Sequence, residues 1–401
     1  MKIMNEKLIV KNFGPIKNAE LDLKKVTIFI GPQGSGKSTL AKLVAICKED
    51  DFLTDKYLDN SSNKGFIKYG IQYFLDNSEF EFKNTEYKYS LKFPYDSKLV
   101  PLNPVPKHFF VGVTPPFSNF KDYENFFFNV RFKEAIPFEH SDIIPLKKYI
   151  ASIANSHIKY IPTDRLLVSS ISDSILGLLS ADVALQKSTV SFGGEFEIAR
   201  SRIPTLFIDY LNITYKYENG RNLIFYNETD SLPLSASASG HQSTIPLHLT
   251  VEHFSKDGNT HFIVEEPELN LFPTTQNKLV GYLADKCTQN GNELLMTTHS
   301  PYVLSAINNL IFAFQVAQVL PERADEIAQI IPQEQWLNPD DVAAYYVGED
   351  ENGEKGGIHS IFNRKTGLIG ENELDEVSDE LGDEFNALMS IYRTRKRETV
   401  N

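Results

Sequence analysis

Residues 24–47 read KKVTIFIGPQGSGKSTLAKLVAIC, and the order of residue types in this stretch decides the fold. Val26–Ile30 is a short β-branched and aromatic run of the kind that fills a buried strand. Gly31-Pro32-Gln33-Gly34-Ser35-Gly36-Lys37-Ser38 then satisfies G-x-x-x-x-G-K-[ST] at every fixed position, and Thr39 follows. Leu40, Leu43 and Val44 continue at helical spacing. Strand, glycine loop and helix arrive in the order a phosphate cradle requires. Glycines let backbone N–H groups turn toward phosphate oxygens, and the helix N-terminus adds its dipole. In that reading Gly31, Gln33, Gly34, Ser35, Gly36 and Thr39 form the cradle. Lys37 reaches the β- and γ-phosphates, and the Ser38 hydroxyl ligates Mg²⁺.

Working outward, residues 261–273 read HFIVEEPELNLFP. Phe262–Val264 predicts a strand that delivers Glu265 and Glu266 to its C-terminal end, the edge of an open α/β sheet where ligands bind. Adjacent carboxylates at the end of a buried strand are costly unless a cation or a proton transfer uses them. Glu265 is therefore read as the Mg²⁺-side acid, acting through water, and Glu266 as the general base or polariser for water attacking the γ-phosphate. One helix later (about 273–287), Glu293–Thr297 predicts another strand, followed by Thr298-His299-Ser300-Pro301. That placement puts His299 on the same edge as a γ-phosphate sensor. His248 and His253, with Glu252, lack metal-ligand spacing and are assigned to packing.

Residues 235–243, SASASGHQS, are by composition a loop running into a helix from about Ser243. Composition alone leaves a linker and a binding segment both open.

These ordered segments resemble the ABC-type ATPases of the RecF, SMC and overcoming-lysogenisation-defect (OLD) group. LIVKNFGPIKNAELDL resembles the first strands of that family's nucleotide lobe, GPQGSGKST its Walker A, and FIVEEPELNLFP its Walker B with the following D-loop. TTHSP resembles its switch-histidine segment, and KYIPTDRLLVSS (159–170) a segment near its Q-loop. The similarity covers roughly residues 7–50 and 155–310. It implies an α/β P-loop NTPase fold of ABC type, a mixed sheet flanked by helices with a β-rich portion and helical insertions. It also implies ATP and Mg²⁺ as ligands. By the same resemblance, Ala238-Ser239-Gly240-His241-Gln242 corresponds to the signature LSGGQ. Ser239, Gly240 and Gln242 would then close onto the nucleotide held by a partner's Walker A, in a homodimer or higher homo-oligomer with composite ATP sites. His241 replaces the second glycine of that motif, Glu265 stands where many relatives carry aspartate, and Asn270 where OLD-like relatives often carry histidine.

The rest of the chain sets expectations for organisation. The ATPase core is expected at 1–50 and 155–310, an aromatic-rich β/α insertion at 51–154, and a C-terminal α/β extension at 311–401 ending in an acidic helix. Hairpins are predicted at 78–93, around Lys83-Asn84-Thr85, and at 211–229, turning at Glu218-Asn219-Gly220. Residues 168–186 fit a helix, and Val342–Val347 and Ile358–Phe362 fit strands. No heptad repeat supports a long coiled coil. Phe126-Phe127-Phe128 suits a core or a partner surface. The helix at about 373–393 places Leu374, Val377, Leu381, Phe385, Leu388 and Tyr392 on one stripe, suited to docking on the fold or to binding a partner.

A net charge of −13 over 401 residues does not advertise a nucleic-acid surface, although it leaves DNA possible. Cys47 and Cys287 are the only cysteines, which suits a reducing, cytoplasmic compartment. The apolar run Leu310–Leu320 is too short to span a bilayer, so no membrane association is expected. The resemblance further implies the ATPase and sensor component of a two-gene bacterial anti-phage system such as Septu or PARIS, with a separate nuclease or toxin as effector. The alternatives are a RecF-like DNA-repair clamp, or a nucleotide-binding scaffold with little turnover. OLD nucleases carry a metal-binding Toprim region in the C-terminal part. Asp340-Asp341 and the acidic helix do not offer its pattern, so no nuclease is expected here.

Overall fold

The computed structural model describes residues 6–49, 66, 68–71, 74, 78–83, 88–92, 157–171, 185–370 and 382–389. Its centre is a six-stranded sheet. In spatial order it runs β14 (Lys355–Ser360), β13 (Val342–Glu349), β3 (Val26–Ile30), β12 (Glu293–Thr298), β11 (Thr260–Glu265) and β6 (His157–Ile161). All neighbours pair in parallel except β14, which is antiparallel to β13. A sheet of this kind must be covered on both faces, and the alternation along each strand shows how. Val26, Ile28 and Ile30 share one core with Phe262, Val264, Leu294 and Met296. Phe29, Ile263 and Leu295 point into the other.

The first core is closed by α3 (Lys187–Arg202), α4 (Ser239–Phe254), α5 (Pro273–Cys287) and α6 (Pro301–Val319). The second is closed by α1 (Lys37–Lys48) and an antiparallel sheet ordered β2 (Ile16–Leu23), β1 (Glu6–Phe13), β4 (Glu79–Lys83) and β5 (Lys88–Lys92). A third small sheet, β7 (Thr205–Ile208) to β10 (Ser231–Pro233), contains the hairpin of β8 (Ile213–Glu218) and β9 (Arg221–Phe225). That hairpin turns at Asn219 and Gly220, both at positive φ, as a two-residue turn between twisted strands demands. At the sheet edge away from the P-loop, the buried Lys48 ammonium bridges Glu6 and Glu293, tying the end of α1 to β1 and β12.

Three expectations change. Residues 342–360, within the C-terminal α/β extension expected at 311–401, supply two strands of the central sheet, and β13 lies directly against β3. The hairpin at 78–93 likewise extends the N-terminal sheet, with Leu8 opposite Phe82. Third, the apolar run at 310–320 is only the end of a 19-residue helix, α6, which is long and apolar enough to cross a bilayer. Its Val303, Ile307, Leu310 and Ile311 face, however, is part of the core.

Of the helix expected at 168–186, residues 168–171 fall in α2 (Arg165–Ile171), 172–184 lie outside the described residues, and 185–186 are not helical. Phe126–Phe128 also lie outside them. Of the C-terminal helix, residues 382–389 are helical, and Phe385 and Leu388 are exposed rather than docked. Two short elements, α7 (Ala324–Ile330) and the β15–β16 pair (Phe362–Asn363 with Leu368–Ile369), complete the described chain.

Candidate nucleotide site

Parallel register brings the three sequence motifs to one edge. Glu265 is opposite Thr297, and Thr298 is opposite Ile30, so the next residue of each strand is Glu266, His299 and Gly31. Gly31 is required where it stands. Its φ is 151°, and a Cβ there would lie 2.1 Å from the Val347 carbonyl oxygen on β13. The loop then passes through Gly34 and Gly36, both at left-handed φ, and α1 begins at Lys37. Gln33 is exposed, Ser38 half-buried and Thr39 buried at the start of α1.

Lys37 is buried, and its ammonium donates to the Gly31 and Pro32 carbonyls at 2.8 Å each. Burial lowers its pKa to about 8, while the nearby Glu266 and Glu268 carboxylates pull it back up. Its Nζ lies 3.4 Å from His299 Nδ1, and His299 Nε2 lies 3.3 Å from Glu266 Oε1. One tautomer serves both contacts: Nδ1 accepts from the lysine, and Nε2–H donates to the carboxylate. Lys37, His299 and Glu266 therefore form a chain across three strand ends. Glu266 itself sits at φ 44°, a costly conformation for a residue with a Cβ, held by its N–H donating to the Thr297 carbonyl at 2.9 Å.

The fit to a cation and a triphosphate rests on unmatched polar atoms. Glu265 is buried, the Thr163 N–H donates to its Oε2 at 3.4 Å, and its Oε1 meets no donor at normal hydrogen-bond geometry among the described residues, although the buried Tyr160 hydroxyl interacts with this carboxylate. Ser35 Oγ is likewise buried and unpartnered. A buried carboxylate with an under-satisfied oxygen beside a P-loop suits a hydrated cation, and the hard oxygens of Glu265 and Ser38 suit Mg²⁺.

Two site residues escaped the sequence reading. Glu268 accepts from Thr298 Oγ1 and from the His299 N–H, both at 2.7 Å, and so fixes the histidine backbone. Burial raises its carboxyl pKa above the usual range. It was visible as the third acid of EEPE, but nothing in the spacing distinguished its inward turn. Arg165, inside the segment compared to a Q-loop, is fully buried and donates to the Glu265 carbonyl at 2.7 Å and the Glu266 carbonyl at 2.5 Å.

The candidate signature differs in detail from its expectation. Helix α4 starts at Ser239, not Ser243, so Ser239 and Gly240 form its first turn. Ser239 is exposed. A Cβ on Gly240 would lie 3.0 Å from the Asn270 carbonyl, so this glycine allows the helix to approach its own chain's loop after the acids. Gln242 turns back instead of outward: its Nε2 donates to the Ser237 carbonyl at 2.7 Å and shapes the loop before the helix. The His241 ring lies beside Tyr226, and burial lowers its pKa. His248 is a packing residue, stacked on Tyr282 and 2.9 Å from the Tyr210 hydroxyl.

No curated protein matches the chain significantly. Among solved structures, an SMC head bound to the C-winged helix domain of ScpA is 12% identical with a TM-score of 0.38. The SMC head domain from Thermotoga maritima is 13% identical with a TM-score of 0.36. A third SMC head, with an extended coiled coil and bound to the C-terminal domain of ScpA, derived from Pyrococcus furiosus, is 13% identical with a TM-score of 0.37. Each similarity covers 76% of this chain and 92% of the other. The AAA ATPase domain family matches residues 1–176 and 179–304, a span that holds the P-loop, the acidic strand and His299. The chain belongs to the AAA ATPase domain family.

Proposed function

We propose that the protein is a Mg²⁺-dependent ATPase of ABC type, working as a nucleotide-gated dimer or higher oligomer. The carrying observation is the Lys37–His299–Glu266 chain at the edge where the P-loop begins. Glu266 accepts a proton from water as the water oxygen bonds to the γ-phosphorus. The bond from that phosphorus to the β–γ bridging oxygen breaks, leaving ADP and phosphate. His299, held by Glu268 through its backbone, orients Glu266 and faces the γ-phosphate. Lys37 leaves its loop carbonyls for the β- and γ-phosphates. Ser38, and Glu265 acting through water, would hold Mg²⁺, which would supply charge neutralisation at those phosphates.

In this reading Ser239, at the exposed start of α4, supplies a hydroxyl to the nucleotide of a second copy, and Gly240 permits close approach. Ser239→Arg then leaves nucleotide binding at the P-loop nearly intact and prevents hydrolysis. Mixing it with Lys37→Ala restores part of the turnover, because one composite site in each heterodimer stays whole. Phosphate release from the mixture measures this, with subunit exchange shown separately. Exchange without rescue would remove the composite site.

The biological reading is the ATPase and sensor component of a bacterial anti-phage system, with output through a separate effector. Its support is the OLD-like motif order together with Asp340-Asp341 and an acidic C-terminal helix that do not reproduce a Toprim pattern. Purified protein with ATP and Mg²⁺ or Mn²⁺ leaves plasmid, linear DNA and RNA uncut. Cleavage that persists through purification and disappears on a point substitution in this chain would refute the division of labour.

A further inference from the structure

Helix α4 contains a proline eight residues from its cap. Pro246 has no N–H, so the Gln242 carbonyl one turn earlier loses its usual donor. An orphaned carbonyl in the interior is destabilising, because it has lost water without gaining a donor. Helix α2 answers it: Ser169 Oγ donates to the Gln242 carbonyl at 2.5 Å, and Arg165 Nε donates to the following Ser243 carbonyl at 3.0 Å. The other side of the same guanidinium holds the acid loop. Nη1 donates to the Glu265 and Pro162 carbonyls, at 2.7 and 3.0 Å, and Nη2 to the Glu266 carbonyl at 2.5 Å.

Four carbonyls from three segments thus converge on one planar, fully buried group. Burial lowers the Arg165 pKa to about 10, so it stays charged at neutral pH. A guanidinium is rigid and cannot stretch to follow partners that move apart. The carbonyl it holds at Glu266 belongs to the residue at φ 44°, whose side chain meets His299. A direct contact reinforces the link, since Ser243 Oγ lies 2.9 Å from the Leu269 carbonyl.

We propose that Arg165, assisted by Ser169, is a positioning residue that couples the first turns of α4 to the peptide of Glu266. A second copy settling on Ser239 would thereby align the general base, and hydrolysis would wait for closure. The coupling rests on the nucleotide-gated dimer proposed above, but its detection does not need hydrolysis.

The test uses the full-length protein with ATP and with a non-hydrolysable analogue. Wild type shows slowed amide exchange in the P-loop and, on nucleotide binding, also in residues 239–247. Arg165→Lys keeps the charge but cannot bridge. It retains P-loop protection and loses the protection of 239–247, with kcat down about 10–100-fold and KM within about twofold, the scale of a small misplacement. A purely structural role predicts a lower melting temperature with KM and kcat altered together. That pattern, or wild-type kcat with wild-type protection, overturns the proposal.

Ser169→Ala provides a milder arm if the arginine variant fails to fold. It lowers coupling in the native background and has little effect beside Pro246→Ala, which returns an N–H to the Gln242 carbonyl. Equal effects in both backgrounds would reject the carbonyl-capture account. Wild type that binds the analogue but never hydrolyses ATP defeats the ATPase reading alone, because the exchange measurement still decides the coupling. Wild type that fails to bind the analogue defeats both.

Discussion

Glu266→Gln binds ATP about as tightly as wild type and hydrolyses it roughly 10²–10⁴ times more slowly, the range expected when a positioned general base is lost. The substitution is nearly isosteric and leaves the backbone of the acid loop untouched. The residue's N–H still donates to Thr297, and its carbonyl still accepts from Arg165. The new amide oxygen can also accept from His299 Nε2, so local geometry is kept. What disappears is the capacity to take a proton from water at neutral pH. Phosphate release at saturating Mg²⁺–ATP, beside calorimetric binding, separates the two effects. Wild-type turnover by this variant would remove Glu266 from the catalytic role and shift attention to Glu268, the other carboxylate linked to His299.

Lys37→Ala produces the largest loss of affinity. The ammonium that now donates to two loop carbonyls would be exchanged onto phosphate oxygens. Hydrogen bonds to charged groups contribute about 1.5–3 kcal/mol each, so losing two weakens binding by roughly 10²–10⁴-fold. Titration with a fluorescent ATP analogue measures this, and an unchanged Kd would overturn the phosphate assignment.

Lys37 also carries a pH signature. Its folded pKa is lowered from the usual 10.5 to about 8, first by burial, against the pull of Glu266 and Glu268. The unfolded chain therefore binds more protons between those values, and the penalty for burying this charge is full below about pH 8 and fades toward 10.5. In nucleotide-free protein, the stability difference between wild type and Lys37→Met accordingly moves in favour of wild type as pH rises through that window. Chemical denaturation at pH 7 and pH 9.5 reads the change. A shift in the opposite sense would show that the lysine is held by its carboxylate neighbours rather than disfavoured by burial.

Contiguous motifs were the legible part of this protein. The phosphate loop, the acids after β11 and the histidine after β12 each follow a strand of five or six residues. Parallel strands that end in such residues share an edge for topological reasons, so Lys37, Glu266 and His299 could be brought together on paper. The glycines were legible too, although the reason for Gly31 was not. Its constraint is the Val347 carbonyl, more than three hundred residues away.

Sequence by itself determined the local arrangement: a strand, a glycine loop and a helix that opens with Lys37, and paired acids at a strand end. These follow from short-range spacing, because period-two and period-3.6 patterns fix which side chains share a face. Tertiary structure alone decided that β13 completes the central sheet, that Glu268 anchors the histidine, and that Arg165 joins α4 to the acid loop. The physical reason is that buried polar groups take whichever partner the fold brings within reach. An arginine's four carbonyls, drawn from residues 162, 243, 265 and 266, leave no periodic trace in the chain.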